Sequence, residues 1–201
     1  MEHGSRKVSW QRRGLVGAIV ALVLPCASMA VAEEQAGSSD LSPQVRDALE
    51  LLASHDPYQR QLGFLRLEAI RDPRSAEAIR GYVDSRDTDL RAYSLRALAA
   101  IEGAKAIPLL RQRLKTDRRP NVRRAALLGL EPLATQDPRL VDAFIDALAD
   151  RSPEVRMAAV DVVSRLNEPR AKEAIRRLNK KEPIRDVRRV LKDAVQRVGG
   201  E

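Results

Sequence analysis

The side chains that usually carry chemistry are few in this sequence. It holds two histidines and one cysteine, and His3 and Cys26 both fall within the first 32 residues. His55 is the remaining histidine and stands beside Asp56 at an expected turn. A single histidine cannot build a Ser–His–Asp triad or a two-histidine metal site within one chain. A single early cysteine rules out a disulfide framework, a zinc site built on several cysteines, and a cysteine nucleophile in the body of the chain. Asp142 and Asp146 are one helical turn apart and could work as acid and base or hold a cation. They lack a third ligand, so the pair reads as a solvated helix face. Gly199-Gly200 end the sequence, and the other glycines have no phosphate-loop spacing. The sequence therefore predicts no catalytic residue, no cofactor and no metal ligand, and a protein that is not an enzyme.

Charge is the remaining lead. Residues 33–100 hold 9 basic and 12 acidic side chains, whereas 101–201 hold 23 and 15. The densest stretch is 111–124, where Arg111, Arg113, Lys115, Arg118, Arg119, Arg123 and Arg124 face a lone Asp117. A second cluster comprises Lys172, Arg176, Arg177, Lys180, Lys181 and Arg185. Candidate partner-binding residues are Arg111, Arg113, Lys115, Arg118, Arg119, Arg176, Arg177 and Lys180. The same pattern would arise if long cationic side chains simply covered Leu and Ala beneath them. Nucleic acid is a poor fit, because base handling wants aromatic stacking partners. Beyond residue 32 only Tyr58, Phe64, Tyr82, Tyr93 and Phe144 are aromatic, and Phe64 falls on an apolar helix face. An acidic segment of another protein is the better partner. The alternative is an anionic envelope polymer or a membrane surface bound through the basic C-terminal half.

These residues must be carried by some scaffold, and the N-terminus is not part of it. Arg6, Lys7, Arg12 and Arg13 precede an uncharged run over 14–32, whose strongly apolar centre is 15–24. Ten such residues span about 15 Å as a helix, half a hydrocarbon core. Ala30-Val31-Ala32 before Glu33-Glu34 completes the basic, apolar and small-residue order of a secretory signal peptide, cleaved after Ala32. Arg12-Arg13 leaves twin-arginine export open as the route. Membrane association would result only if the signal stayed uncleaved. The rest is expected in the periplasm or secreted, and the excess of arginine over lysine, 29 to 7, suits a bacterium with GC-rich coding DNA. Residues 33–42 are small and polar, a flexible linker.

A repeat of about 32 residues fills the remainder of the chain. Arg60, Arg91, Arg123, Arg156 and Arg188 mark it. Three residues on stand Gly63, Ser94, Ala126, Ala159 and Leu191; seven on, Leu67, Leu98, Leu130, Val163 and Val195; ten on, Ile70, Ile101, Leu133, Leu166 and Val198. Those steps place the positions on one apolar helical stripe. Units open with an acid at Asp56, Asp87, Asp117, Asp150 and Glu182, and Pro often comes next at a first helical turn. A shorter second helix is expected at about 74–85, 104–115, 138–149 and 170–180. Residues 43–53 form a lone cap helix, and Lys192 after Leu191 suits a terminal repeat whose outer face meets water. The domain thus runs over 43–198, with repeats starting near 56, 87, 117, 150 and 182 and a tail at 199–201. Few aromatics and frequent helix breaks argue against a β-sandwich.

Asp87-Thr-Asp-Leu-Arg-Ala-Tyr-Ser-Leu-Arg-Ala-Leu and Asp150-Arg-Ser-Pro-Glu-Val-Arg-Met-Ala-Ala-Val resemble the HEAT-like repeats first named from phycobilisome lyases. The resemblance implies an all-α, right-handed α-solenoid of stacked antiparallel helix pairs. It implies that the Arg column pairs with the helix-opening acids of adjacent repeats and is architecture. It also implies that second helices line a concave face, which would gather Arg111, Lys115, Arg176, Arg177 and Lys180 on one surface. Family members that act on bilins handle a thiol-linked chromophore, a role that an exported chain does not fit. The function expected is a non-catalytic interaction scaffold or assembly factor of the bacterial cell envelope.

Overall fold

The computed structural model describes residues 41–166, 168–197 and 199. The expected signal peptide and the linker up to residue 40 lie outside the described residues, as do 167, 198, 200 and 201. The last two residues assigned to the linker belong to the folded unit instead. Leu41 packs on the core, and the Ser42 hydroxyl accepts from the Val45 N–H at 3.3 Å to cap the first helix.

The helices run in order α1 Pro43–Leu52, α2 Pro57–Ile70, α3 Ala76–Arg80, α4 Thr88–Glu102, α5 Ile107–Thr116, α6 Pro120–Leu130, α7 Leu140–Ala147, α8 Pro153–Arg165, α9 Pro169–Asn179 and α10 Arg185–Arg197. Short 3-10 turns lead into α3 and α5 and come after α6. Proline opens α1, α2, α6, α8 and α9, where its missing N–H has no intrahelical partner to lose. No described helix is long and apolar enough to cross a membrane.

The even-numbered helices carry the Arg column and pack on one another from repeat to repeat. Each also packs on the odd-numbered helix before it more than on the one after it. The pairs are therefore α1–α2, α3–α4, α5–α6, α7–α8 and α9–α10. The helix at 43–53 is the first half of a pair rather than a lone cap, and the repeat boundaries fall one helix earlier than the acid positions suggest. The reason lies in the odd-to-even turn. Each column arginine folds its Nη1 back onto the carbonyl six residues earlier: Arg60 on Ser54, Arg91 on Ser85, Arg123 on Asp117, Arg156 on Asp150 and Arg188 on Glu182, at 2.6–3.1 Å. That bond ties an even helix to the turn that precedes it.

Between repeats the stripe does the packing. Phe64, Leu67, Leu98, Leu127, Leu130, Ala159 and Leu191 are fully or almost fully buried. The small residue at the head of the stripe has a concrete purpose at Gly63. A Cβ there would sit 2.8 Å from the Ala48 carbonyl oxygen and 2.8 Å from Leu52 Cδ2, so only glycine lets α1 and α2 approach this closely. The core falls into two clusters that meet on α4: Ala97 and Leu98 join the N-terminal one, and Ala92, Leu95 and Ala99 the C-terminal one. The stripe holds less well at its last position. Ile70 is exposed, because α2 ends there and Arg71 turns the chain away in the left-handed region, at φ 57°.

Candidate partner-binding surfaces

The Arg column is a ladder. Arg91 Nε donates to Asp117 at 3.2 Å, and Arg123 reaches Asp150 through Nε at 2.8 Å and Nη2 at 2.7 Å. Arg156 reaches Glu182 through the same two nitrogens at 2.8 and 2.7 Å. Each acid serves twice, since it also accepts from the backbone N–H two residues on: Arg119 for Asp117, Ser152 for Asp150 and Ile184 for Glu182. Arg156 and the Ile184 N–H hold the Glu182 carboxyl below its ordinary range against the opposing effect of burial. At Asp150 burial pushes the carboxyl up, but Arg123 and the Ser152 N–H outweigh it and the net direction is down. Arg91, Arg123 and Arg156 are thus spoken for as architecture.

The first rung departs from this pattern. Arg60 Nη2 stands 3.8 Å from Asp87, and Arg60 Nε is buried with no acceptor among the described residues. The cause is legible in the spacing. Asp117, Asp150 and Glu182 precede their own column arginine by six residues, whereas Asp87 precedes Arg91 by four and Ser85 occupies the sixth place. Ser85 Oγ performs the turn bond, accepting from the Asp87 N–H at 3.1 Å, but supplies no carboxylate to the preceding repeat.

The expected basic surface is divided among several environments. Arg111 and Lys115, on α5, line a hollow of about 370 Å³ whose opposite wall is Asp142, Asp146 and Asp150, over Leu114, Ala143 and Ala147. Arg113 turns the other way and pairs with Asp84, while its Nε is buried without an acceptor among the described residues. With Arg118 it borders a separate hollow that also holds Asp84 and Asp117. Arg118 and Arg119 are exposed in the turn before α6. On α9, Arg176 donates to the Gly199 carbonyl at 3.1 Å and Arg177 pairs with Glu173 at 3.1 Å. Lys180 comes just after the helix and is exposed. Asp142 is itself bound by Arg170 at 2.9 Å, and among the described residues no three His, Cys, Asp or Glu side chains gather as metal ligands would. The patch is therefore crossed by carboxylates at α7, which sequence counting over 111–124 passes over.

A second surface, not anticipated from sequence, lies on the even-numbered row. One hollow of about 530 Å³ is lined by Glu68, Arg71, Arg96, Ala99, Ala100, Gly103, Leu128, Gly129, Pro132, Leu133 and Gln136. Another of about 420 Å³ is lined by Arg124, Leu128, Glu154, Met157, Ala158, Asp161 and Val190. Leu128 borders both, so the two hollows adjoin over α4, α6 and α8. Their floor is apolar and their rims are charged, the make-up of a surface that takes a protein segment. The available signal was the set of apolar residues outside the stripe, Leu128, Met157 and Val190 among them.

Paired helices stacked through one side, with an Arg–acid ladder between neighbours, define an α-helical repeat protein. The model of the HEAT repeats family matches residues 45–131 and 112–196, and the chain belongs to that family. Among solved structures it is similar to the complex of CpcE and CpcF of phycocyanin lyase from Nostoc sp. PCC7120, with 20% identity and a TM-score of 0.62 over 75% of this chain and 96% of that one. It is also similar to YibA of Escherichia coli, with 16% identity and a TM-score of 0.61 over 93% of this chain and 65% of that one. Both likenesses concern the fold. No curated protein sequence matches the chain.

Proposed function

We propose that the protein is a non-catalytic interaction scaffold or assembly factor of the bacterial cell envelope, and that its partner is another protein held on the open face of the even-numbered helices. The observation that carries this reading is the pair of adjoining hollows that share Leu128, with an apolar floor and charged rims. HEAT repeats generally mediate contacts between proteins, and the CpcE–CpcF structure, a solved relative in fold, is itself a complex of two proteins. The even-numbered helices pack on one another from repeat to repeat, whereas the odd-numbered helices scarcely touch one another. That row supplies the second helix of each pair as the structure forms them, so the proposed face carries other residues than the surface that sequence suggested. Export, and with it the envelope, rests on the order of charge and hydropathy in residues 1–32.

The test is crosslinking capture from the native envelope with tagged protein beginning at Glu33, washed over a range of salt. A specific protein retained at moderate salt supports the scaffold. Capture of anionic polymer or lipid alone, lost steeply as salt screens the arginines, would overturn it in favour of the electrostatic alternative.

A further inference from the structure

Arg71 combines three features that no other described residue shares. It is the one non-glycine residue with positive φ, 57°, at a helix end where glycine is the usual choice. It lines the larger hollow. No hydrogen bond or ion pair engages its guanidinium among the described residues. A residue held in a costly conformation beside a cavity is grounds for a functional hypothesis. From this geometry we propose that the hollow receives the C-terminal carboxylate of a partner polypeptide. This deepens the scaffold reading and rests on it.

The lining sets the chemistry. Arg71 offers an uncommitted, planar set of donors suited to a carboxylate. Arg96 stands beside it, committed to Glu68 through one nitrogen at 3.0 Å, with other donors still available. Beyond the two arginines the floor is Ala99, Leu128 and Leu133, which fits an apolar final side chain. A free fatty acid would need only this hollow. A polypeptide uses the neighbouring one as well, because Leu128 opens onto the second hollow and its carboxylates Glu154 and Asp161. Asp161 is engaged by Arg165 at 2.6 Å and Arg197 at 3.4 Å, whereas Glu154 has no ion pair among the described residues. Arg124 lines this second hollow as well, so its charge is mixed and Glu154 is the carboxylate there left without an ion pair. The groove suits a chain that ends in an apolar residue and sets a basic one against Glu154. From the end of α2, which carries Arg71, to α8, which carries Glu154, is three interhelical steps of about 8–10 Å each, or about eight residues of extended chain at ~3.3 Å per residue.

Fluorescence anisotropy tests this with two labelled decapeptides that end in leucine and carry lysine eight positions upstream, one with a free carboxylate and one amidated. The free acid is expected to bind about tenfold more tightly, since an ion pair of this kind is worth a factor of that order. Arg71→Gly should weaken the acid to the level of the amide while leaving the melting temperature unchanged or raised, because glycine suits the left-handed position. That separates lost binding from lost folding. Glu154→Lys should weaken the lysine peptide and favour one with glutamate in that place. Equal affinity for acid and amide, or unchanged binding by Arg71→Gly, would overturn the carboxylate site while leaving a peptide groove in place. Binding by neither peptide also overturns it, and capture from the envelope then judges the scaffold by itself.

Discussion

At the scale of single residues the ladder carries the most testable energetics. Arg123 is 3% exposed and chelates Asp150, so removing it strands a carboxylate in a partly buried site. Arg123→Met should cost about 3 kcal/mol in a urea titration, the range typical of a broken buried pair. This pair and the Arg156–Glu182 pair set a pH dependence. Asp150 and Glu182 have carboxyls held below the ordinary range. Their contribution is complete above the unfolded value of about 4 and is lost as pH falls through the lowered folded values. Acid titration of wild type should therefore show stability falling below about pH 4, and Arg123→Met should flatten that slope. The broken first rung predicts a gain. Moving the acid from 87 to 85, as Ser85→Asp/Asp87→Ser, keeps the charge and gives Arg60 the acceptor that Arg91 already has. It should add about 1 kcal/mol, measured by the same titration. The constant period of the Arg column marked the repeat, and its reading as architecture came with the resemblance to HEAT-like repeats. The defect in the first rung was present as a shift from six residues to four, but its meaning depends on which acid oxygen reaches which guanidinium.

At the scale of helices the apolar stripe and its small leading residue were readable, since burial tracks helical period wherever neighbours stack on both sides. Gly63→Ala tests the close approach of α1 and α2. On an exposed helix this change would stabilise by roughly 0.5–1 kcal/mol. Here the added methyl meets a backbone carbonyl at 2.8 Å, so a net loss of about 1–2 kcal/mol is expected from thermal unfolding. The ends of the stack are polar where interior repeats are apolar. Lys192 is exposed as expected of the last repeat, and Gln59 and Arg66 are exposed in α2. Their counterparts in the interior repeats, Val122 and Val155, and Ala97 and Val162, are buried. Which helix pairs with which was less readable. Both directions of pairing share one period, and the choice is made by the arginine that folds back onto its own turn.

At the scale of the molecule, stability should be distributed along the stack, because each repeat buries its stripe on its neighbours. Leu130 is fully buried in the C-terminal cluster, and Leu49 is partly buried at the N-terminal end. Leu130→Ala should cost about 2–5 kcal/mol and Leu49→Ala less; equal or inverted losses in urea would contradict this order of stacking. The binding surface was the least readable feature. Charge density along 111–124 says nothing of side-chain direction, and the fold sends Arg111 and Lys115 to one hollow, Arg113 and Arg118 to another. The even-row groove is built from small and apolar residues of four different repeats, which no local window of sequence brings together.

The proposed function stands on a protein partner being held in that groove and not on the arginine-rich stretch. The envelope capture decides between them when run in parallel with two variants, Leu128→Arg and the quadruple change of Arg111, Arg113, Arg118 and Arg119 to Glu. With the groove as the binding face, wild type and the quadruple variant retain the same partner while Leu128→Arg, folded by circular dichroism, loses it. Loss by the quadruple variant with retention by Leu128→Arg would contradict this and return the binding surface to the basic patch.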